Sequence, residues 1–486
     1  MQQAAAVREF LSEGSLGPWI DGRFVVHGGD WIECVDPGTG EPFARFRPAD
    51  GKVVNQGVET AAKAFRKRPW ARASPAERAR VLRRLAELAG THRKTLAEIE
   101  CLDTGRTLAQ ALADIAHFAQ TLAYYADLAE RSPQRIPIES EAAKAYTFDA
   151  PAGVCGVIIP WNFPIVLLGW NIAPALAAGN AVVVKPAEEA SLSSLYIARL
   201  AAEAGLPAGV LNIVPGEGET TGAALAAHPC LARMSFTGST EVGRSVAAAC
   251  GRNLVPTKLE LGGKGAAVVL DIDGPATVKA LVRALTMNAG QVCCTATRWI
   301  IHRSLFDAFV EQARERLRAV RIGYWSDLKT RMGPLISQRQ RDRVLSLISQ
   351  SLDDGATALL WDGLLEGQPG FFVRPALLTG PAENIAANEE IFGPVAYLLP
   401  FDSEDEAVDL VHRSDYGLAN SVWSSDADKA TALGERLECG TVWINTQNFL
   451  MPGIPYLGIR NSGNGGGSLG ANVLSEYMRR TSITRL

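Results

Sequence analysis

Two adjacent thiols, Cys293 and Cys294, follow the small-residue turn Asn288-Ala289-Gly290-Gln291 and precede the β-rich run Trp299 to His302. A thiol where a flexible loop meets a sheet stands on a rigid scaffold, the usual setting of a reactive group. Its thiolate attacks carbonyl carbon, and an ordinary cysteine pKa of about 8.5 needs only modest help near neutrality. On local context the pair reads more often as ordinary buried small hydrophobes, the commoner fate of a cysteine, so the rest of the chain has to decide.

Other residue groups could bind a phosphorylated ligand. Met234 to Gly243 and Val214 to Gly218 each place glycines at a strand end before a helix, where free N–H groups can face a pyrophosphate. Neither is a true Gly-x-Gly-x-x-Gly, and an ordinary strand-to-helix turn reads the same way. Lys185-Pro186-Ala187-Glu188 ends another strand, its ammonium and carboxylate suited to ribose hydroxyls or simply to a surface ion pair.

Elements must bring these groups together. Val154–Ile159, Ala181–Val184, Leu211–Val214, Met234–Thr237 and Ala266–Leu270 are apolar, β-branched runs, separated by helical stretches at Ser191–Ala204, Thr220–Ala227 and Glu241–Ala249. Strands that are apolar throughout and alternate with helices predict a parallel α/β sheet covered on both faces, with ligands beyond its carboxyl ends. A second α/β pattern runs from Trp299 to about Asn445, with helices at Leu305–Val320 and Arg339–Leu352 and strands at Ala396–Phe401 and Thr441–Asn445. Ahead of the first, Trp19-Ile20, Arg23–Val26 and Trp31–Val35 predict a small β-layer, and Val54–Leu128 is helical. Ser74-Pro75-Ala76-Glu77 is a capping box in front of the apolar stripe Val81, Leu82, Leu85, Leu88 and Ala89. Gln134–Pro151 predicts a hairpin leaving the body, an edge that needs a partner, and the β-like tail Ser482–Leu486 is a candidate for pairing with another subunit.

Length and composition bound the alternatives. A chain of 486 residues exceeds one simple core at about 150 residues per domain. Net charge is −4, and the basic cluster Arg78, Arg80, Arg83 and Arg84 is interleaved with Glu77 and Glu87 as on a solvated helix face, which argues against nucleic acid. Eight cysteines without Cys-x-x-Cys or His pairs fit neither a metal site nor a disulfide framework, and fit reduced thiols in the cytoplasm. The charge-free stretch Ala152–Val184 is broken by Pro160, Asn162, Pro164, Asn171, Pro174 and Gly179, so it reads as buried strand, loop, helix and strand rather than a membrane span.

Six motifs in order complete the picture: Pro160-Trp161-Asn162-Phe163-Pro164, Lys185-Pro186-Ala187-Glu188, Phe236-Thr237-Gly238-Ser239-Thr240, Leu259-Glu260-Leu261-Gly262-Gly263-Lys264, Gly290-Gln291-Val292-Cys293 and Glu390-Ile391-Phe392-Gly393-Pro394. Together they resemble the aldehyde dehydrogenase superfamily from about Asp36 to Ser482. The resemblance implies an α/β fold of two domains with parallel-type sheets plus a small β oligomerisation arm. The dinucleotide would lie on 1–133 and 152–261, catalysis on 262–460, and the arm and tail on 134–151 and 461–486.

The implied reaction is NAD-dependent oxidation of an aldehyde to the acid, without a metal. Cys293 would form a thiohemiacetal and then a thioester, Asn162 and the Cys293 N–H would hold the oxyanion, and Glu260 would be general base. Ile159, Pro160, Trp161, Lys185, Glu188, Gly216, Phe236, Gly238, Ser239, Glu390 and Phe392 would hold the cofactor, with Glu188 disfavouring NADP. Phe163, Val166, Leu167, Trp170, Val292, Cys294, Phe449, Leu450 and Tyr456 would line a tunnel for an apolar aliphatic or aromatic aldehyde, unless they are plain core. A homodimer or homotetramer follows by the same resemblance. CoA-dependent acylation is the alternative chemistry, against which Glu260 argues; a non-catalytic scaffold is the alternative class, against which Cys293, Glu260 and Asn162 argue together. Pro455-Tyr456-Leu457-Gly458 and Gly465-Gly466-Gly467 depart from the family pattern and leave the substrate mouth and tail packing open.

Overall fold

A computed structural model describes residues 5–485 apart from 13, 15, 68, 133, 134, 140–142, 273 and 366. Gln134 and 140–142 of the expected hairpin, and the final Leu486, therefore lie outside the described residues.

The first sheet has eight strands. Leu211–Ile213, Ala181–Lys185, Val154–Ile158, Arg233–Thr237 and Thr257–Glu260 run parallel in that spatial order. Side chains of its central strands are buried on both faces, which is why these segments are apolar throughout. The helix Pro164–Ala177 is buried along its whole length, so the charge-free stretch is protein core in strand–helix–strand form. The amino-terminal β-layer divides: Trp19–Ile20 pairs with Arg23–Phe24 and joins the edge of this sheet, whereas Ile32–Asp36 pairs with Glu41–Phe46 in a separate two-stranded sheet. The strand ends at Phe24, and Val26 is exposed.

The second sheet has seven strands, and its centre is Val395–Phe401, Ala296–His302 and Gly265–Val269, all parallel. Cys293 lies just ahead of its strand Ala296–His302 and Glu260 at the end of a first-sheet strand, so the site forms between the sheets' carboxyl and amino ends.

Local chemistry explains the helix boundaries. Ser74 Oγ accepts from the Glu77 N–H (3.2 Å) and Glu77 Oε2 from the Ser74 N–H (2.7 Å), so the capping box starts Pro75–Thr91; such a cap is worth ~1 kcal/mol. Arg78 is not on a solvated face: it is buried and its Nε donates to the Ala177 carbonyl (2.8 Å), tying this helix to the end of Pro164–Ala177. Thr220–Ala227 does not form one α-helix. Thr221 Oγ1 donates to the Ala49 carbonyl (2.5 Å), and the chain widens into a π-type turn, Gly218–Gly222, before the short helix Ala223–Ala226.

The arm is a three-stranded antiparallel sheet, Arg135–Ile138, Lys144–Pro151 and Met478–Arg485. The tail thus finds its β-partner within its own chain. Gly463–Asn464, also of the tail, leaves the arm and pairs with Leu259 and Glu260 at the edge of the first sheet.

Candidate active site

Cys293 follows a turn in which Asn288 (φ 48°), Ala289 (φ 52°) and Gly290 (φ 74°) are all left-handed. This conformation costs a non-glycine residue roughly 1–2 kcal/mol. The turn is locked rather than flexible, because Asn288 Nδ2 donates to the Asn162 carbonyl (2.8 Å) and Gln291 Nε2 donates to the Asn288 carbonyl (2.8 Å). Gln291 Oε1 in turn accepts from the Ile336 N–H (3.0 Å). At Gly290 a Cβ would meet the Gly393 carbonyl, so glycine is required for that approach.

The same bonds seat Asn162 beside the turn that leads to Cys293. Its buried amide donates from Nδ2 to the Gln291 carbonyl (3.1 Å), two residues before Cys293, and both side chains line one cleft of about 870 Å³. Arg106, fully buried, donates to the Asn162 carbonyl from behind, pairs with Asp114 and stacks 4.8 Å over the Phe163 ring. Arg106 carried no sequence signal, being a single basic residue between helices.

Cys293 is half-buried, and its Sγ lies 3.4 Å from the Tyr456 hydroxyl. The Cys294 thiol, by hydrogen bonding, and the Tyr456 hydroxyl both hold the Cys293 thiol below its ordinary range against burial, which pushes it up, as do the charges of Glu390 and Glu260. Cys294 itself is buried, sits 3.5 Å from Asn448 Oδ1, and is pushed well up by its bond to Cys293 and by burial. It is therefore core residue and thiol partner at once.

Glu260 ends the strand Thr257–Glu260 with its carboxyl buried. Oε1 accepts from Ser468 Oγ (3.1 Å), while Oε2 has no partner among the described residues. Burial raises its pKa, opposed by the Lys258 ammonium and by Ser468. A buried carboxyl with a raised pKa and one open oxygen is suited to take a proton near neutrality.

Ile159, Pro160, Trp161, Lys185, Glu188, Phe236, Gly238, Ser239, Glu390 and Phe392 line the same cleft as Cys293. Lys185 Nζ and Glu188 Oε2 are 2.9 Å apart, and although burial pushes the Glu188 carboxyl up, this ammonium holds it below its ordinary range. Ser239 caps the helix Thr240–Arg252, its Oγ accepting from the Val242 N–H (3.3 Å). Gly238 has to be bare, since a Cβ would enter the Phe236 ring. Glu390 Oε1 accepts from the Gly263 N–H (2.9 Å), and burial raises its pKa to about 7. Phe392, left-handed at φ 59°, meets the Trp161 ring edge-on at 5.3 Å. A helix N-terminus, a bare glycine and a buried Lys–carboxylate pair along one cleft fit a dinucleotide.

Gly216 does not join this wall. It turns at φ 155° behind the cleft, where a Cβ would strike Thr221, and Gly218 and Gly222 line the cleft instead. Sequence reasoning also missed Gln340 and Arg343 on the helix Gln338–Asp353, which donate to the Phe392 (2.8 Å) and Glu390 (2.7 Å) carbonyls and fix that loop. No motif marks them.

Val166, Leu167, Trp170, Val292, Cys294 and Tyr456 are buried in one large apolar cluster with Phe163, Cys293 and Leu450 packed against it, and none of the predicted tunnel residues lines the cleft. The Trp170 and Tyr456 rings lie 5.6 Å apart, and Trp170 Nε1 donates to His117 Nε2 (2.9 Å). Phe449 is half-exposed rather than enclosed. Among the described residues no cluster of His, Cys, Asp or Glu could hold a metal, and no helix is long and apolar enough to cross a membrane.

Residues 24–483 match the family model for the aldehyde dehydrogenase family. The chain belongs to that family, and so to the oxidoreductases. It is 37% identical to phenylacetaldehyde dehydrogenase of Pseudomonas fluorescens, covering 97% of this chain and 98% of that one. It is 39% identical to human retinaldehyde dehydrogenase 3, over 94% and 90% of the two chains. Its fold matches the NAD+ complex of an aldehyde dehydrogenase from Bacillus cereus with a TM-score of 0.96 at 36% identity, over 99% and 98%.

Proposed function

We propose that the chain oxidises an apolar aliphatic or aromatic aldehyde to its carboxylic acid with NAD. The observation that carries this is that Asn162 and Cys293 line one cleft, with the Asn162 amide anchored to the Gln291 carbonyl two residues before the thiol. The Cys293 thiolate attacks the aldehyde carbon. The new oxyanion takes hydrogen bonds from Asn162 Nδ2 and the Cys293 N–H, each typically worth about 3 kcal/mol in the transition state. Lys185, Glu188, Ser239 and Glu390 would hold a nicotinamide dinucleotide, whose chemistry would be to accept the hydride whose loss leaves a thioester on Cys293. Glu260 then accepts the proton of the water that releases acid from Cys293, its open Oε2 being the acceptor. A free acid, rather than acyl-CoA, is the product this base favours.

The apolar cluster beside Cys293 supports an apolar substrate, as do the relatives named for phenylacetaldehyde and retinaldehyde. Glu188 supports NAD, because its carboxylate repels a 2′-phosphate, and the Bacillus cereus relative is an NAD+ complex. On this reading residues 1–133 and 152–261 bind the dinucleotide, 262–460 carry the nucleophile, and 134–151 with 461–486 join subunits in a dimer or tetramer. The setting is the cytoplasm, where the thiol stays reduced.

The test is reduced-nicotinamide formation with NAD and NADP across aliphatic, aromatic and charged aldehydes, with Cys293→Ala beside the natural protein. Turnover on apolar aldehydes that vanishes in the variant is the expected result. Acyl-CoA release in the presence of CoA, or NAD binding without turnover on any aldehyde, would sink the reading.

A further inference from the structure

Lys258 is wholly buried two residues before Glu260, so both side chains leave the same face of the strand Thr257–Glu260. Its Nζ donates to Ser468 Oγ (3.2 Å), and the Ser468 hydroxyl, with its proton left to give, bonds Glu260 Oε1 (3.1 Å). The chain of donors runs one way. An ammonium gives to the serine, the serine gives to one carboxyl oxygen, and the other oxygen, Oε2, is buried and has no partner among the described residues. Burying an ammonium costs several kcal/mol, and an apolar side chain would fill the space without that penalty.

Ser468 is held firmly enough to transmit this. It exchanges backbone bonds with Tyr456, N–H of Tyr456 to its carbonyl at 2.9 Å and its own N–H to the Tyr456 carbonyl at 2.6 Å. Tyr456 in turn touches Cys293 Sγ, so one backbone pair carries both the serine under the base and the phenol over the nucleophile.

We propose that Lys258, acting through Ser468, is a positioning residue that keeps Glu260 ionised and oriented with Oε2 toward the attacking water. The proposal rests on Glu260 being the general base. Burial pushes the two groups toward neutrality, and each charge holds the other in its ionised form. The remaining groups that face them are Arg233 and Glu476, which are paired with each other, and the Cys293 thiol and Tyr456 phenol on the reacting side. Removing the ammonium therefore moves the Glu260 carboxyl further up, and with it the acid limb of activity.

The experiment uses the full chain with Lys258→Met, Ser468→Ala and Ser468→Thr. Aldehyde oxidation with NAD is followed against pH, and the carboxyl C=O stretch of Glu260 is read by infrared difference against Glu260→Gln. In Lys258→Met the acid limb and the infrared midpoint both rise by about one unit, and turnover below the limb falls about tenfold. Ser468→Ala moves them the same way, Ser468→Thr restores them, and alkylation of Cys293 by iodoacetamide does not slow in any of the three. If the natural protein oxidises no aldehyde, the functional reading fails and the infrared midpoint alone decides this one. Should Lys258→Met not fold, Ser468→Ala and its threonine rescue carry the test. A carboxyl midpoint that stays put in the folded variants overturns the proposal.

Discussion

At the scale of single residues, the reactivity of Cys293 is set by two neighbours, Cys294 and Tyr456. Both stabilise the thiolate against burial. A hydrogen bond to a charged group is worth about 1.5–3 kcal/mol, so Tyr456→Phe is expected to raise the Cys293 pKa by about one unit. The sign follows from the donor: losing it disfavours the anion, so iodoacetamide alkylation at neutral pH slows about tenfold and its midpoint moves up. Unchanged alkylation would mean the phenol only packs against Trp170. The motif residues Cys293, Asn162 and Glu260 were legible in the sequence because each sits in a short pattern. Arg106, Lys258 and Ser468 were not, because their contacts come from partners far along the chain, such as Glu260 and Ser468 at a separation of 208 residues.

At the scale of elements, the alternation of apolar strands and helices was legible because parallel strands buried on both faces leave little choice of residue. The glycine run near the carboxyl terminus was not, and stood only as a departure from a pattern. Its reason is close approach. Gly463 and Gly465, at φ 147° and 83°, lie against the strand that carries Glu260, and a Cβ on either would strike the Leu259 or Thr257 carbonyl. Gly465→Ala is expected to lower stability by about 2 kcal/mol or more, through clash and left-handed strain. Urea unfolding at constant m-value measures it, with Gly28→Ala, where a Cβ meets open space, expected to change stability by less than about 0.5 kcal/mol. Because the displaced strand carries the proposed base, Gly465→Ala should also reduce acid release more than thiol alkylation. Equal loss of both would place the effect in global unfolding instead.

At the scale of the whole molecule, the arm is the part proposed to join subunits. Its sheet pairs the tail internally, yet Ile136 and Ile138 stand exposed on one face and Ile483 on the other, since Ile483 is in register with Tyr146 and Pro137. Successive strand residues alternate faces, so no single layer within the chain could cover all three. Both outer strands, Arg135–Ile138 and Met478–Arg485, also keep an edge open to further pairing. A subunit interface resolves both features at once. Light scattering on the natural protein is therefore expected to give a multiple of 52.0 kDa. Ile138→Asp with Ile483→Asp buries two carboxylates in that interface, so the mass should fall toward a smaller assembly. Cys293 alkylation, which depends on Tyr456, Cys294 and the locked turn inside one chain, should persist in the dissociated variant. A natural protein that runs as a single chain would remove the arm's proposed role and leave those isoleucines as ordinary exposed residues.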